Sequence, residues 1–217
     1  KRHESGLPFV RLKMAMSLDG KTALGNGKSQ WITGPEARMD VQKLRARSSV
    51  IVTGVQTIIE DDPLMTVRAN EIEIEHAGLS ANRKRPVYIL DPNLRVSPHA
   101  RVLQDPNNVL VCGSGKSLGG PVKARIIESK TTQDDRIDLL ELLTFLAKEQ
   151  CNEVLFECGG VLAGSLVHQG LCDELVIYIA PKMMGSSARS LLSMPEIDTM
   201  SGLFNVNVTD IRVIGDD

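Results

Sequence analysis

Residues 9–16, FVRLKMAM, alternate with a period of two. Val10, Leu12, Met14 and Met16 fall on one side, and Phe9, Arg11, Lys13 and Ala15 on the other. This spacing predicts a first strand, closed by the turn SLDG. The rhythm turns helical in GPEARMDVQKLRARS, where Ala37, Val41, Leu44 and Ser48 share a face, Pro35 opens the first turn and Thr33 or Gly34 stands at the cap. The runs SVIVTG, PVYILD and NVLVCG predict buried strands. VQTIIEDD predicts a short helix stopped by Pro63, LMTVR a strand, and DLLELLTFLAKEQ, residues 138–150, the plainest helix. EVLFEC and ELVIYIA bracket a helix from about residue 160 to 169, a parallel strand-helix-strand unit. Residues 203–214 alternate weakly and predict one or two antiparallel edge strands, and residues 69–85 predict an exposed, charge-dense excursion. Short strands alternating with helices mean an α/β sheet.

Length and composition narrow the function classes. At 217 residues the chain suits one domain with a substantial core. A net charge of -2 speaks against a nucleic-acid or membrane-surface role, which needs clustered Lys and Arg. No apolar run approaches the roughly 20 residues of a membrane span, and the basic start KRHESGLPFV lacks the apolar stretch of a signal peptide, so a cytoplasmic setting is expected. Cys112, Cys151, Cys158 and Cys172 show neither a CxxC pair nor metal-ligand spacing, which predicts reduced, buried thiols and no metal.

Three glycine turns compete as phosphate loops. GNGKSQW has Thr22 where a Walker A loop needs its first glycine, and MAMSLDGKTALGNG lacks the spacing and the helix of a dinucleotide fingerprint. FECGGVLAGS has a strand before it and a helix after it, so it can present backbone N–H groups to a phosphate or serve simply as a tight connection. Lys13 faces a cleft or a carboxylate if its strand is central, and water if the strand lies at an edge. Glu157 ends its strand on the carboxyl side, where open α/β sheets hold ligands. Asp61 and Asp62 before Pro63, Arg45 beside its apolar stripe and Arg68 after LMTV are unremarkable alone. Trp31, the only tryptophan, sits in a polar segment where stacking on a ligand competes with packing.

As a set, LKMAMSLDGKTA, GKSQWITGPEAR, LRARSSVIVTGVQTIIEDDPLMTVR, FECGGVLAGSLVHQGLCDELVIYIAPKMMG and IRVIG resemble the reductase half of the bifunctional riboflavin-biosynthesis deaminase-reductase family. The likeness runs from about Gly6 to Ile214. It implies a dihydrofolate-reductase-like α/β/α fold, with a mostly parallel twisted sheet and an antiparallel strand near the end. The deaminase's zinc signature is absent, so residues 1–217 are expected to be a single reductase domain, with residues 1–6 left from a linker to a zinc deaminase domain.

The resemblance implies NADPH-dependent reduction of 5-amino-6-(5-phospho-D-ribosylamino)uracil to its ribitylamino product, with hydride delivered to ribose C1. Close alternatives are a reductase of the diamino-pyrimidinone substrate and a non-catalytic nucleotide-binding module supporting a deaminase. Ala15, Trp31, Thr57 and Asp61, with the turn Gly159, Gly160, Val161, Leu162, Ala163, Gly164 and Ser165, match cofactor-binding positions. Lys13, Ser29, Arg45, Met65, Arg68 and Glu157 match substrate-holding ones. Lys13 is the candidate for proton delivery, with Asp61 and Glu157 as catalytic carboxylates. Pro92 stands where relatives often carry Ser, so reading of the cofactor 2'-phosphate falls to Asn93 or Arg95. The strand ELVIYIAPKMMG is expected at the two-fold contact of a homodimer.

Overall fold

A computed structural model describes residues 1–72 and 75–217; positions 73 and 74 of the predicted excursion lie outside the described residues. The elements run α1 (Arg2–Ser5), β1 (Phe9–Ser17), β2 (Lys21–Ala23), α2 (Pro35–Arg47), β3 (Val50–Gly54), α3 (Val55–Asp61), α4 (Ala77–Asn82) and β4 (Val87–Leu90). They continue with β5 (Val109–Gly113), β6 (Arg125–Ser129), α5 (Leu139–Lys148), β7 (Glu153–Glu157), α6 (Gly160–His168), β8 (Glu174–Ala180) and β9 (Arg189–Ser190). Seven strands form one sheet in the order β6-β5-β4-β3-β7-β1-β8, every neighbouring pair parallel. β2 and β9 make a small antiparallel ribbon of their own.

Period-two alternation sorts the strand side chains into two cores. Leu12, Val52, Leu90, Val111 and Phe156 face α5 and α6, where Leu142, Leu143, Leu146 and Leu166 cover them. Ile51, Ile89, Leu110 and Leu155 face the other way, against Val55 and Ile58 of α3. On that same side Ala37 and Val41 of α2 cover Tyr178. The result is a three-layer α/β/α architecture. No helix among the described residues is long and apolar enough to cross a membrane.

β1 lies between β7 and β8, so the edge-strand reading of Lys13 does not hold: both faces of β1 are covered by protein. The strand expected for LMTVR is absent. Asp62 and Met65 adopt left-handed backbone, with φ of 38° and 54°, and these two bends break the extended run. The tail strands are also absent. Residues 203–213 carry no regular structure, and Val206, Val208, Ile211 and Val213 are largely exposed, so among the described residues the seven-stranded sheet contains no antiparallel strand. β6, which pattern reading passed over, is a half-exposed edge strand whose charged ends dilute its apolar signal. Residues 1–6 include the helical turn α1, and Lys1 pairs with Asp173 at 2.5 Å.

Candidate active site

A cavity of about 1520 Å³ opens at the carboxyl ends of the strands. That exceeds the roughly 300–1,000 Å³ typical of a single small-ligand site. Open parallel sheets collect ligands at this edge because loops and helix N-termini converge there. Lys13, Ala15, Ser29, Trp31, Arg45, Thr57, Asp61, Met65, Arg68 and Glu157 all line it, together with Gly159, Gly160, Val161, Leu162, Gly164 and Ser165. Ala163 alone of the predicted residues does not: it is fully buried among the core side chains under α6.

Charge is concentrated on the cavity floor. Register places Lys13 directly opposite Glu157 across β1 and β7. Arg45 arrives from α2 and donates from Nε and Nη2 to the two Glu157 oxygens at 2.6 and 2.9 Å, while Nη1 donates to the Thr66 carbonyl at 3.1 Å. That carbonyl is presented by the bend at Met65, so the residue that spoils the expected strand also braces Arg45. Three of the five guanidinium N–H groups are thereby used within the protein.

The electrostatics follow from this crowding. Burial alone would raise the Glu157 carboxyl, but the charge and hydrogen bonds of Arg45, with Lys13 beyond, hold it below its ordinary value. Burial dominates at Lys13 and lowers its ammonium, Glu157 works against that, and Arg45 adds to it. The Lys13 amine, partly open to the cavity, is thereby moved toward neutrality, the direction a proton donor requires. Cys158 is pushed far up by burial beside Glu157 and is no thiolate nucleophile.

The turn Gly159-Gly160 opens α6 with no side-chain cap. A Cβ at Gly159 would meet nothing within 4 Å, so this side of the turn faces open space. Gly160 and Gly164 also line the cavity, and both are needed for a close approach of the chain. Added Cβ atoms there would press on the carbonyls of Ser190, Leu191 and Ser193, because residues 190–193 run against the helix. Ser165 spends its hydroxyl on the Val161 carbonyl at 3.0 Å. What remains for an anion is the first-turn N–H groups, where a helix carries partial positive charge.

The rim is built from loops. Arg38 stacks 4.6 Å from the centroid of the exposed Trp31 ring, and Lys182 donates to the Trp31 and Ile32 carbonyls at 3.1 and 2.6 Å. Gln30 donates to Asp61 at 2.7 Å, which ties the Trp31 loop to the end of α3. Arg68 is half-exposed and pairs with Glu71 at 2.6 Å. Its backbone N–H donates to Gln42, a buried glutamine that sequence reading missed although a polar residue beside Val41 in the apolar stripe was its signal. Arg95 and Arg136 line the far part of the cavity, and Arg136 lies 3.4 Å from the Ser165 hydroxyl.

Residues 8–217 match the family model described as the RibD C-terminal domain. The chain is 38% identical to the riboflavin biosynthesis protein RibD of Escherichia coli K12, covering all of this chain and 60% of that protein. It therefore spans about 60% of the length of that relative. A Buchnera aphidicola protein named 5-amino-6-(5-phosphoribosylamino)uracil reductase is 34% identical over 88% of this chain and 94% of its own length. Among solved structures, RibD of Acinetobacter baumannii superimposes with a TM-score of 0.82 at 31% identity, over the whole of this chain and 58% of that one. The chain therefore belongs to the RibD C-terminal domain family.

Proposed function

We propose that this protein is an NADPH-dependent 5-amino-6-(5-phosphoribosylamino)uracil reductase of riboflavin biosynthesis. The observation that carries this reading is the floor of Lys13, Glu157 and Arg45 in the same cavity as the uncapped first turn of α6. The name of the Buchnera relative, which this chain matches over nearly its whole length, supports the substrate.

The chain's residues fit a dinucleotide. The open space at Gly159 and the uncapped N–H groups after it suit a diphosphate, and the cavity volume leaves room for a second ligand. Arg95 and Arg136 suit a 2'-phosphate in place of the serine that Pro92 replaces, and the exposed Trp31 face with Thr57 suits the remaining length. Bound there, the nicotinamide supplies one hydride.

The substrate needs that hydride and one proton. When the ribosyl ring opens, the ring oxygen takes the N–H proton and a C1–N double bond forms. Hydride then goes to C1 and a proton to the nitrogen, giving the ribitylamine. Lys13 holds a transferable proton at this floor, and its lowered pKa makes the transfer easier. Glu157 keeps the ammonium in place and offers its remaining lone pairs to the amino edge of the pyrimidine. Arg68, half-exposed at the rim, has donors for the substrate phosphate.

Four unpaired cysteines accord with a reducing, cytoplasmic setting. β8 ends the sheet with Ile179 and Met183 exposed on and beyond it, which suits a homodimer contact. The share of the Escherichia coli relative that lies outside the match leaves room for a linked deaminase part. The test is direct. Purified protein mixed with NADPH and freshly deaminated substrate should consume the nicotinamide absorbance and yield ribitylamine; absence of turnover with this substrate, or turnover only with the diamino-pyrimidinone, overturns the assignment.

A further inference from the structure

Helix α2 lays two charged side chains over the sheet, one on each side of Lys13. Arg45 reaches Glu157 on β7. Asp40, five residues earlier, accepts a hydrogen bond from the Tyr178 hydroxyl on β8 at 2.8 Å. Lys13 stands between these two clamps on β1. Its Nζ lies 5.5 Å from the centroid of the Tyr178 ring, within the range at which a ring face attracts a cation. Parallel register explains the contact: Lys13 pairs with Val176 and Ala15 with Tyr178, so Tyr178 is the next side chain along on the same face. Tyr178 is 5% exposed, and its hydroxyl is spent on Asp40, so the ring cannot swing away without breaking a buried hydrogen bond.

We infer that Tyr178, tethered by Asp40, is a positioning residue that holds the Lys13 amine against Glu157 and toward the cavity. The inference rests on the reductase reading for its kinetic consequence, but the placement of Lys13 can be tested without turnover. The groups around the amine are Glu157 from β7, Arg45 from α2 and the Tyr178 ring from β8. Behind them stand Asp40 and Arg212 against Tyr178, and Glu71 against Arg45. Arg11, the previous residue on this face of β1, is neutralised by Glu153 and Glu174. The ring is thus the one uncharged contact in this set that favours the ammonium. Burial and Asp40 push the Tyr178 hydroxyl pKa far up, which keeps it a donor throughout the working range.

Three variants separate placement from folding. Tyr178→Phe keeps the ring and removes the tether, Tyr178→Leu removes the ring, and Asp40→Asn keeps an acceptor for the hydroxyl without the charge. Protein labelled at the lysine side-chain carbons, with the Lys13 signal assigned by its loss in Lys13→Met, reports the Lys13 titration by NMR. In Tyr178→Leu the titration should move down by about one pH unit, as loss of a desolvated cation–π contact implies. The alkaline limb of kcat should move with it and kcat should fall about tenfold, while KM for both substrates stays within about twofold. Tyr178→Phe should keep the titration midpoint and lose only about two- to fivefold in kcat, and Asp40→Asn should lose less than Tyr178→Phe. A Lys13 titration in Tyr178→Leu that superimposes on wild type overturns the inference. Should Tyr178→Leu fail to fold, Tyr178→Phe decides: a kcat and pH profile identical to wild type overturn it. Wild type without turnover counts against the reductase assignment alone, because the NMR titration still reads the placement.

Discussion

Glu157 and Lys13 face each other across β7 and β1 at the same register position, with Arg45 bonded to both oxygens of the carboxylate. The amine thus sits beside a carboxylate that is already shared. Glu157 raises the Lys13 pKa, while burial and Arg45 lower it. In Glu157→Gln the raising influence goes and the two lowering ones stay, so the ammonium gives up its proton at lower pH. If that ammonium supplies the proton, the rate falls as pH rises through its pKa, and the alkaline limb of kcat in Glu157→Gln moves to lower pH. The wild-type acid limb, set by the depressed Glu157 carboxyl, lies below about 4.5 and vanishes in the variant. A pH-rate profile between the acid edge of stability and about pH 10 checks both limbs; an alkaline limb that stays in place removes Lys13 as the donor.

Arg68 has more uncommitted donors than Arg45. Arg45 is committed to Glu157 and Thr66, whereas Arg68 is half-exposed and pairs only locally with Glu71. We expect Arg68→Ala to lower kcat/KM for the pyrimidine by about 10- to 1000-fold, the value of a charge-assisted phosphate contact. KM for the nicotinamide should hardly change. Steady-state kinetics with each substrate varied in turn measures the split, and an unaltered kcat/KM takes Arg68 out of the site.

The two-period rhythm of β1 fixed which side chains share a face with Lys13, and the runs SVIVTG, PVYILD, NVLVCG and EVLFEC announced the buried strands correctly. Helix α2 was equally legible, because Ala37 and Val41 recur at helical spacing over the sheet. Strand order was not legible, since pattern is local: β7, α6 and β8 form a crossover unit, yet β1 from the start of the chain lies between its strands. That long-range insertion turned Lys13 from a candidate edge residue into the floor of the cavity. The pairing of Arg45 with Glu157 and of Tyr178 with Asp40 joins residues more than a hundred positions apart, which no spacing rule reaches. LMTVR misled because its β propensity is real but left-handed Met65 bends it, with a second left-handed residue, Asp62, just before it. The tail misled because alternation alone does not supply a partner strand.

The adenosine end of the cavity gives a prediction of nucleotide preference. Pro92 has neither a hydroxyl nor a backbone N–H to offer a phosphate, so Asn93, Arg95 and Arg136, all exposed, carry donors there, and the two arginines carry the charged ones. Arg95→Ala should raise KM for NADPH by about 10- to 100-fold and leave KM for NADH within about twofold, so the preference narrows. Parallel titrations with the two nucleotides measure it. Equal losses with both would place Arg95 on the diphosphate instead.

The glycines of α6 make opposite predictions although they are five residues apart. Gly159 has φ of -76° and open space where a Cβ would go, so Gly159→Ala leaves the fold unchanged. Its methyl group enters the region assigned to the diphosphate, so KM for NADPH should rise while the unfolding midpoint stays within experimental error. Gly164 lies inside the helix with the Ser193 carbonyl against it, well within van der Waals contact of an added Cβ. Gly164→Ala gains helix propensity worth up to about 1 kcal/mol, but residues 190–193 must move off the helix. Overpacking of this kind costs about 1–3 kcal/mol, and Ser193 donates its N–H to the Gly160 carbonyl at 2.9 Å, so its displacement strains that bond as well. The clash therefore wins, and denaturant unfolding should show net destabilisation. Because Ser190, Leu192 and Ser193 also line the cavity, the nicotinamide KM should rise together with the stability loss. A Gly164→Ala protein as stable as wild type would mean that this segment is free to move, and that α6 gains nothing from its close approach.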